Sequence, residues 1–174
     1  APVLVQGPSG SGKGFVARVL HYSGERPGPF AALACSDFGP QELELELFGA
    51  AKDATPDAPE HAGALQLASR GTLFLRDIER LPLSLQERLL EVLQHGRMQR
   101  AGSALSERVD VRLVAGTRAD LSRAVEQGQF LRELARRLAG DTLVLPALEE
   151  RAEDVEALAR HFLACHAHCN GASF

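Results

Sequence analysis

The residues with the clearest chemical purpose are Gly7, Pro8, Ser9, Gly10, Ser11, Gly12 and Lys13, a G-x-x-x-x-G-K spacing. Its glycines let the backbone curl until successive N–H groups point inward at phosphate oxygens. Lys13 adds a point charge for terminal phosphates. The apolar run Val3-Leu4-Val5 precedes the motif, and Phe15-Val16-Ala17-Arg18-Val19-Leu20 follows it. Strand, glycine-rich turn and helix form the context in which this spacing binds a nucleotide, because the helix N-terminus contributes its own positive field. A glycine-rich turn that binds nothing does not account for a lysine at that offset. The position after the lysine, where a Ser or Thr hydroxyl ordinarily holds magnesium, is Gly14.

A second set of chemically capable residues, His161, Cys165, His166, His168 and Cys169, lies near the end of the chain. On a helix, positions 161 and 169 are separated by a rise of about 12 Å, too far to share one ion. An i, i+4 pair supplies two ligands, too few for a structural zinc site, so no metal site is assigned. The three cysteines make no disulfide framework and suit a reducing cytoplasm.

These candidates need a scaffold, and the apolar runs supply one. Val3–Val5, Phe30–Ala34, Leu73–Leu75, Val111–Ala115 and Leu143–Leu145 alternate with helical patterns. Near-continuous runs of this kind predict an α/β fold whose parallel sheet is covered on both faces. Helices are expected over 41–48, ended by Gly49, then 83–93, 121–127 and 131–138, with a last one over 149–165. Residues 50–62, polar and interrupted by two prolines, read as an exposed loop; Gly63–Ala68 resumes an ordered pattern. Residues 96–109 read as a hairpin or loop with Gly102 at its turn. The P-loop strand is expected in the middle of the sheet, between the strands ending at Leu75 and Ala115.

At 174 residues with 45% hydrophobic content, the chain is long and apolar enough for one large domain, alone or with a small addition. A formal net charge of −4 provides no general attraction to nucleic acid or membrane surfaces. No run reaches the roughly 18 apolar residues of a membrane span. A core strand at the first residues, without an initiating methionine, reads as a domain of a longer protein.

From the P-loop to Arg151 the chain resembles the central AAA+ domain of sigma-54-dependent transcriptional activators. The resemblance is carried, in order, by Glu46-Leu47-Phe48-Gly49, Gly71-Thr72-Leu73-Phe74-Leu75, the helix Leu85–Gln94, Val109-Asp110-Val111-Arg112-Leu113-Val114-Ala115 and Leu145-Pro146-Ala147-Leu148-Glu149-Glu150-Arg151. It implies a three-layer P-loop NTPase with a central parallel five-stranded sheet over 1–148. Residues 149–174 would open a helical lid subdomain whose second half, with its sensor arginine, is not in this sequence. It also implies ATP or ADP as cofactor and a homo-oligomeric ring, with DNA contacted only through a domain outside this chain.

The catalytic positions depart from that family's pattern. Its Asp-Glu pair at the end of the third strand is Arg76-Asp77 here, and an arginine cannot ligate a cation. Asp77 keeps a carboxylate, one methylene shorter. The restraining asparagine after the second strand is Ala34, and the sensor asparagine is Arg118. The two inter-subunit arginines fall at Leu131 and Arg137, with Arg132 one place from the first. The sigma-contacting loop G-A-F-T-G-A aligns with Asp53-Ala54-Thr55-Pro56-Asp57-Ala58, losing its phenylalanine and both glycines. A loop so altered is not expected to engage sigma-54.

The expected site is therefore a nucleotide pocket formed by Gly7–Gly14, Arg76 and Arg118, with no magnesium ligand from the third strand. Arg76 meets either the triphosphate or a neighbouring acid such as Glu79. Asp77, Arg137 and Arg132 are the candidates for residual catalytic roles. The expected function is that of a transcription regulator's AAA+ domain, binding nucleotide with hydrolysis and sigma-54 contact impaired. A working sigma-54-remodelling ATPase is the alternative, and another P-loop enzyme, such as a small-molecule kinase, a third.

Overall fold

Apolar runs too continuous for a half-exposed strand must be covered on both faces, and that requirement organises the chain. A computed structural model describes residues 1–51 and 61–170, with only the backbone for residues 162 and 165–170. In chain order the elements are β1 (Val3–Gln6), α1 (Lys13–Tyr22), β2 (Phe30–Ala34), α2 (Pro40–Phe48), α3 (Ala64–Leu67), β3 (Thr72–Arg76) and α4 (Leu83–His95). Then come β4 (Arg97–Gln99), β5 (Ser106–Arg108), β6 (Arg112–Thr117), α5 (Leu121–Glu126), α6 (Arg132–Leu138), β7 (Thr142–Val144) and α7 (Asp154–Asn170).

All five expected strands form one parallel sheet, in the order β2-β3-β6-β1-β7. The fold is the expected three-layer α/β arrangement. Side chains alternate along each strand. Val3, Val5, Phe74 and Val114 pack on the α1 face with Ala17. Leu4, Leu33, Leu73, Leu75 and Leu113 join Leu43, Leu47, Leu65, Leu89, Leu134 and Leu138 on the opposite face.

Two expectations are corrected. β1 is internal, but β3 is not its neighbour: β6 pairs with both, matching Val3 to Val114 on one side and Leu73 to Leu113 on the other. Five of the six β6 residues are buried, so it takes the central place; all three residues of β7, the strand on the far side of β1, are exposed. The last helix does not start at Glu149. Leu148–Arg151 form a 3₁₀ turn, and α7 starts at Asp154 with Asp154 and Glu156 in its first turn, where acids suit a helix N-terminus.

β4 and β5 form the expected hairpin, with Gly102 in a left-handed conformation at φ 73°. Most of the expected exposed loop, residues 52–60 with the altered sigma-contacting segment, lies outside the described residues.

Two features hold the strand ends in place. Gly71 enters β3 where a Cβ would lie 1.9 Å from the Pro29 carbonyl oxygen, so the chain entering β3 touches the chain entering β2 backbone to backbone. Gln86, fully buried on α4, donates to the carbonyls of Leu81 (2.6 Å) and Gln129 (3.1 Å) and accepts from the Leu131 N–H (2.8 Å). It fixes α6 against α4 with every side-chain polar atom bonded.

Candidate functional site

The P-loop leaves β1 and curls over the start of α1. Gly10 (φ 79°) and Gly12 (φ 84°) adopt left-handed backbone that side chains resist, and no side chain caps the helix. The N–H groups of the first turn of α1 thus remain available to an anion. Lys13 is buried, and its Nζ donates to the carbonyls of Gly7 and Pro8, both at 2.7 Å. Burial lowers its pKa below the usual lysine value; the Asp77 carboxylate works against that shift and the Arg118 guanidinium with it.

The facing rim is made where β2 and β3 end together. Ala34 pairs with Arg76, so Ser36 and Asp37 lie alongside Arg76 and Asp77. Asp77 turns the chain in left-handed conformation (φ 54°, ψ 49°), which a short polar side chain tolerates better than most. Its carboxylate is enclosed. Ser36 Oγ donates to it at 3.0 Å, Arg118 Nε approaches to 3.2 Å and Arg76 Nε to 3.7 Å. Arg76 also pairs with Asp37 at 3.2 Å.

Arg118 reaches Glu79 as well, at 3.8 Å, and Glu79 accepts from the Arg118 backbone N–H. The second Glu79 oxygen is buried without a hydrogen-bond partner among the described residues. Burial, reinforced by the Asp77 and Glu79 carboxylates, pushes the Cys35 thiol up to about 12.

Both rims open onto one cavity of about 450 Å³, lined by Ser9, Gly10, Gly12, Lys13, Gly14, Ser36, Arg76, Asp77 and Arg118. Gly7 and Pro8 contribute the carbonyls that hold the lysine. Ser11 is buried beneath the loop; its hydroxyl has no partner among the described residues, and its carbonyl accepts from Arg151.

Arg132 and Arg137 are not brought to this cavity. Arg132 lines a separate groove with Gln6, Asp120 and Thr142. Arg137 donates to the Leu93 carbonyl at 2.6 Å, near Ala1 and Pro2 at the opposite ends of the strands.

Sequence reasoning missed Ser36, Asp37 and Arg151. The first two had a signal: they follow the end of β2, and neighbouring parallel strands deliver the residues after them to one crevice. Arg151 had none, because its contact with Ser11 spans 140 positions. Arg76 pairs with neighbouring acids, one of its two expected arrangements, though Glu79 is not among them. Asp37 and Asp77 take Arg76, and Arg118 takes Glu79.

Magnesium, which P-loop NTPases use to bridge phosphates, does not fit these residues. Gly14 has no hydroxyl, although a Cβ there would meet only ordinary contact, 3.6 Å from the Phe74 ring. Arg76 repels a cation, and the Asp77 carboxylate is already occupied by a hydroxyl and two guanidiniums. Among the described residues no group of three or more His, Cys, Asp or Glu is placed to hold a metal ion.

Residues 1–144 match the family described as the Sigma-54 interaction domain. The chain belongs to that family. This sigma-54 interaction domain is 41% identical over 165 residues to the regulatory protein AtoC of Escherichia coli K12, covering 94% of this chain and 36% of AtoC. It is 40% identical over 163 residues to the Psp operon transcriptional activator of the same strain, covering 92% of this chain and 50% of that protein. Among solved structures, NtrX from Brucella abortus in complex with ADP superposes with a TM-score of 0.86 at 32% identity, covering 98% of this chain and 37% of the other. The same protein has also been solved with ATP, with a TM-score of 0.83. The domain spans between about a third and a half of these relatives. Among the described residues no helix is long and apolar enough to cross a membrane.

Proposed function

We propose that this domain binds ATP or ADP on its P-loop within a transcription regulator, and that it neither hydrolyses ATP at a useful rate nor drives sigma-54. The observation that carries this reading is the contrast inside the cavity: a complete phosphate cradle facing an acid already engaged by the Ser36 hydroxyl and two guanidiniums. The cradle needs only backbone N–H groups, a helix N-terminus and Lys13. Hydrolysis needs in addition a metal ligand and a carboxylate free to orient water. Arg76 cannot be the first. Asp77 is short, buried and engaged, and so is poorly suited to the second.

Relatives supply the nucleotide class, since NtrX has been solved with ADP and with ATP. The transcriptional role is carried over from the Psp operon activator and rests on the same family membership. On this reading residues 149–174 open a helical lid, and Arg137 and Arg132 face a neighbouring copy in a homo-oligomer. DNA is held by a domain outside this chain, in a cytoplasmic protein. Loss of sigma-54 contact is supported by Thr55 and Pro56 in the loop that the family uses.

Phosphate release from ATP tests the reading. Release indistinguishable from a Lys13→Ala control is expected. Steady turnover that this substitution abolishes would overturn the impairment.

A further inference from the structure

We propose that nucleotide binding at this site is independent of divalent metal, the Arg76 and Arg118 guanidiniums supplying the charge that magnesium brings to other P-loop sites. This rests on the nucleotide-binding reading above and adds the form in which the ligand binds: free ATP rather than its magnesium complex.

The charge balance points there first. Around the cavity three cations, Lys13, Arg76 and Arg118, face three carboxylates, Asp37, Asp77 and Glu79. An acid in place of Arg76 would shift that balance by two negative charges, the charge one divalent ion restores. With an arginine there, the protein has made the correction itself.

Geometry agrees. Arg76 lines the cavity with its side chain 53% exposed, and its partner Asp37 is 54% exposed. Ion pairs so exposed hold weakly, so the guanidinium can exchange Asp37 for a phosphate oxygen at little cost. Its planar fork suits phosphate better than an ammonium does. Arg118 is anchored by the largely buried Asp77 and Glu79, and offers its remaining N–H groups from the other side. Lys13 already has two carbonyl partners to exchange for phosphate oxygens.

A metal would have to compete with all of this. To reach Asp77 it must displace the Arg118 guanidinium and the Ser36 hydroxyl, and at position 14 it finds no oxygen although a side chain fits. A guanidinium neutralises charge but gives neither an octahedral template nor an activated water. Binding without turnover is the chemical consequence.

Calorimetric titration of the chain with ATP, in EDTA and then in excess magnesium, decides the matter. Expected are affinities in the two buffers that agree to within about threefold. Arg76→Gln should weaken binding in EDTA by about tenfold, the scale of one charge-assisted hydrogen bond, without rescue by magnesium. Arg76→Asp should make binding depend on magnesium. Binding by the parent chain only in magnesium overturns metal independence and leaves the nucleotide reading standing. No binding in either buffer overturns both. Parent affinity retained by a folded Arg76→Gln, with circular dichroism as the check on folding, overturns the role given to Arg76.

Discussion

The two rims of the nucleotide cavity are built on different principles. The P-loop rim is written in backbone: two left-handed glycines, an uncapped helix start and one lysine. The opposing rim is written in side chains projected from the ends of β2, β3 and β6, namely Ser36, Arg76, Asp77 and Arg118. Backbone geometry requires whole elements to stay in place, whereas side chains can be exchanged without moving the strands that carry them. A site divided in this way can keep binding while losing the residues that act on what is bound.

The strongest test of this division is Lys13→Ala, expected to weaken ATP binding by about a hundredfold or more, the loss of two charge-assisted contacts. Near-parent affinity in a calorimetric titration would show that the P-loop backbone holds the nucleotide without its lysine.

A sizeable effect of opposite sign on the two rims should appear in the pH dependence of stability. Lys13 has its pKa lowered on folding, so the unfolded chain holds that proton more tightly. Its contribution makes stability rise as pH climbs towards 10.5 and fall as pH drops. Cys35, raised from 9.0 to about 12, behaves conversely: stability is complete below pH 9 and is lost as pH rises towards about 12. Urea midpoints of the parent, Lys13→Met and Cys35→Ala across pH 7–11 should show these slopes removed one at a time. A common slope in all three would break the comparison.

The smallest effects belong to the arginines. Arg118→Ala leaves Asp77 and the largely buried Glu79 without that cation and should cost roughly 1–2 kcal/mol. Arg76→Ala, which loses a half-exposed partner in Asp37 and only a 3.7 Å approach to Asp77, should cost less than about 1 kcal/mol. Denaturant unfolding that ranks them the other way would show that Arg76 is structural cement rather than a ligand-facing group.

How far this could be read from the residues differs between the rims as well. The P-loop was legible because its chemistry is local: seven consecutive residues between an apolar run and a helical pattern. All five strands were legible from their apolar runs, since each run is a short-range property. Their order was not. Placing β6 rather than β3 beside β1 depends on which strand is buried most completely, a property of the assembled sheet. The acid rim failed for the same reason. Arg76 and Asp77 were singled out, yet their partners Ser36 and Asp37 arrive through the pairing of β2 with β3, some forty positions away in the chain. Glu79 is one of the neighbouring acids that Arg76 could meet, but it lies against Arg118 instead.

Far from the nucleotide, at the other end of β3, Gly71 carries a constraint of a different kind. Any side chain there would be driven into the Pro29 carbonyl, and a Cβ at Gly28 would lie 2.4 Å from backbone atoms of residues 69–71. Backbone cannot retreat as a flexible side chain does, so even alanine must part the two chain crossings from which β2 and β3 set out. Saturation mutagenesis scored by the yield of folded protein should therefore give an inverted map. Positions 28 and 71, which touch no ligand, would accept almost nothing, while position 76, in the middle of the site, would accept nearly everything. Mutational tolerance in this domain would follow the contacts between its backbones and say little about where the nucleotide sits.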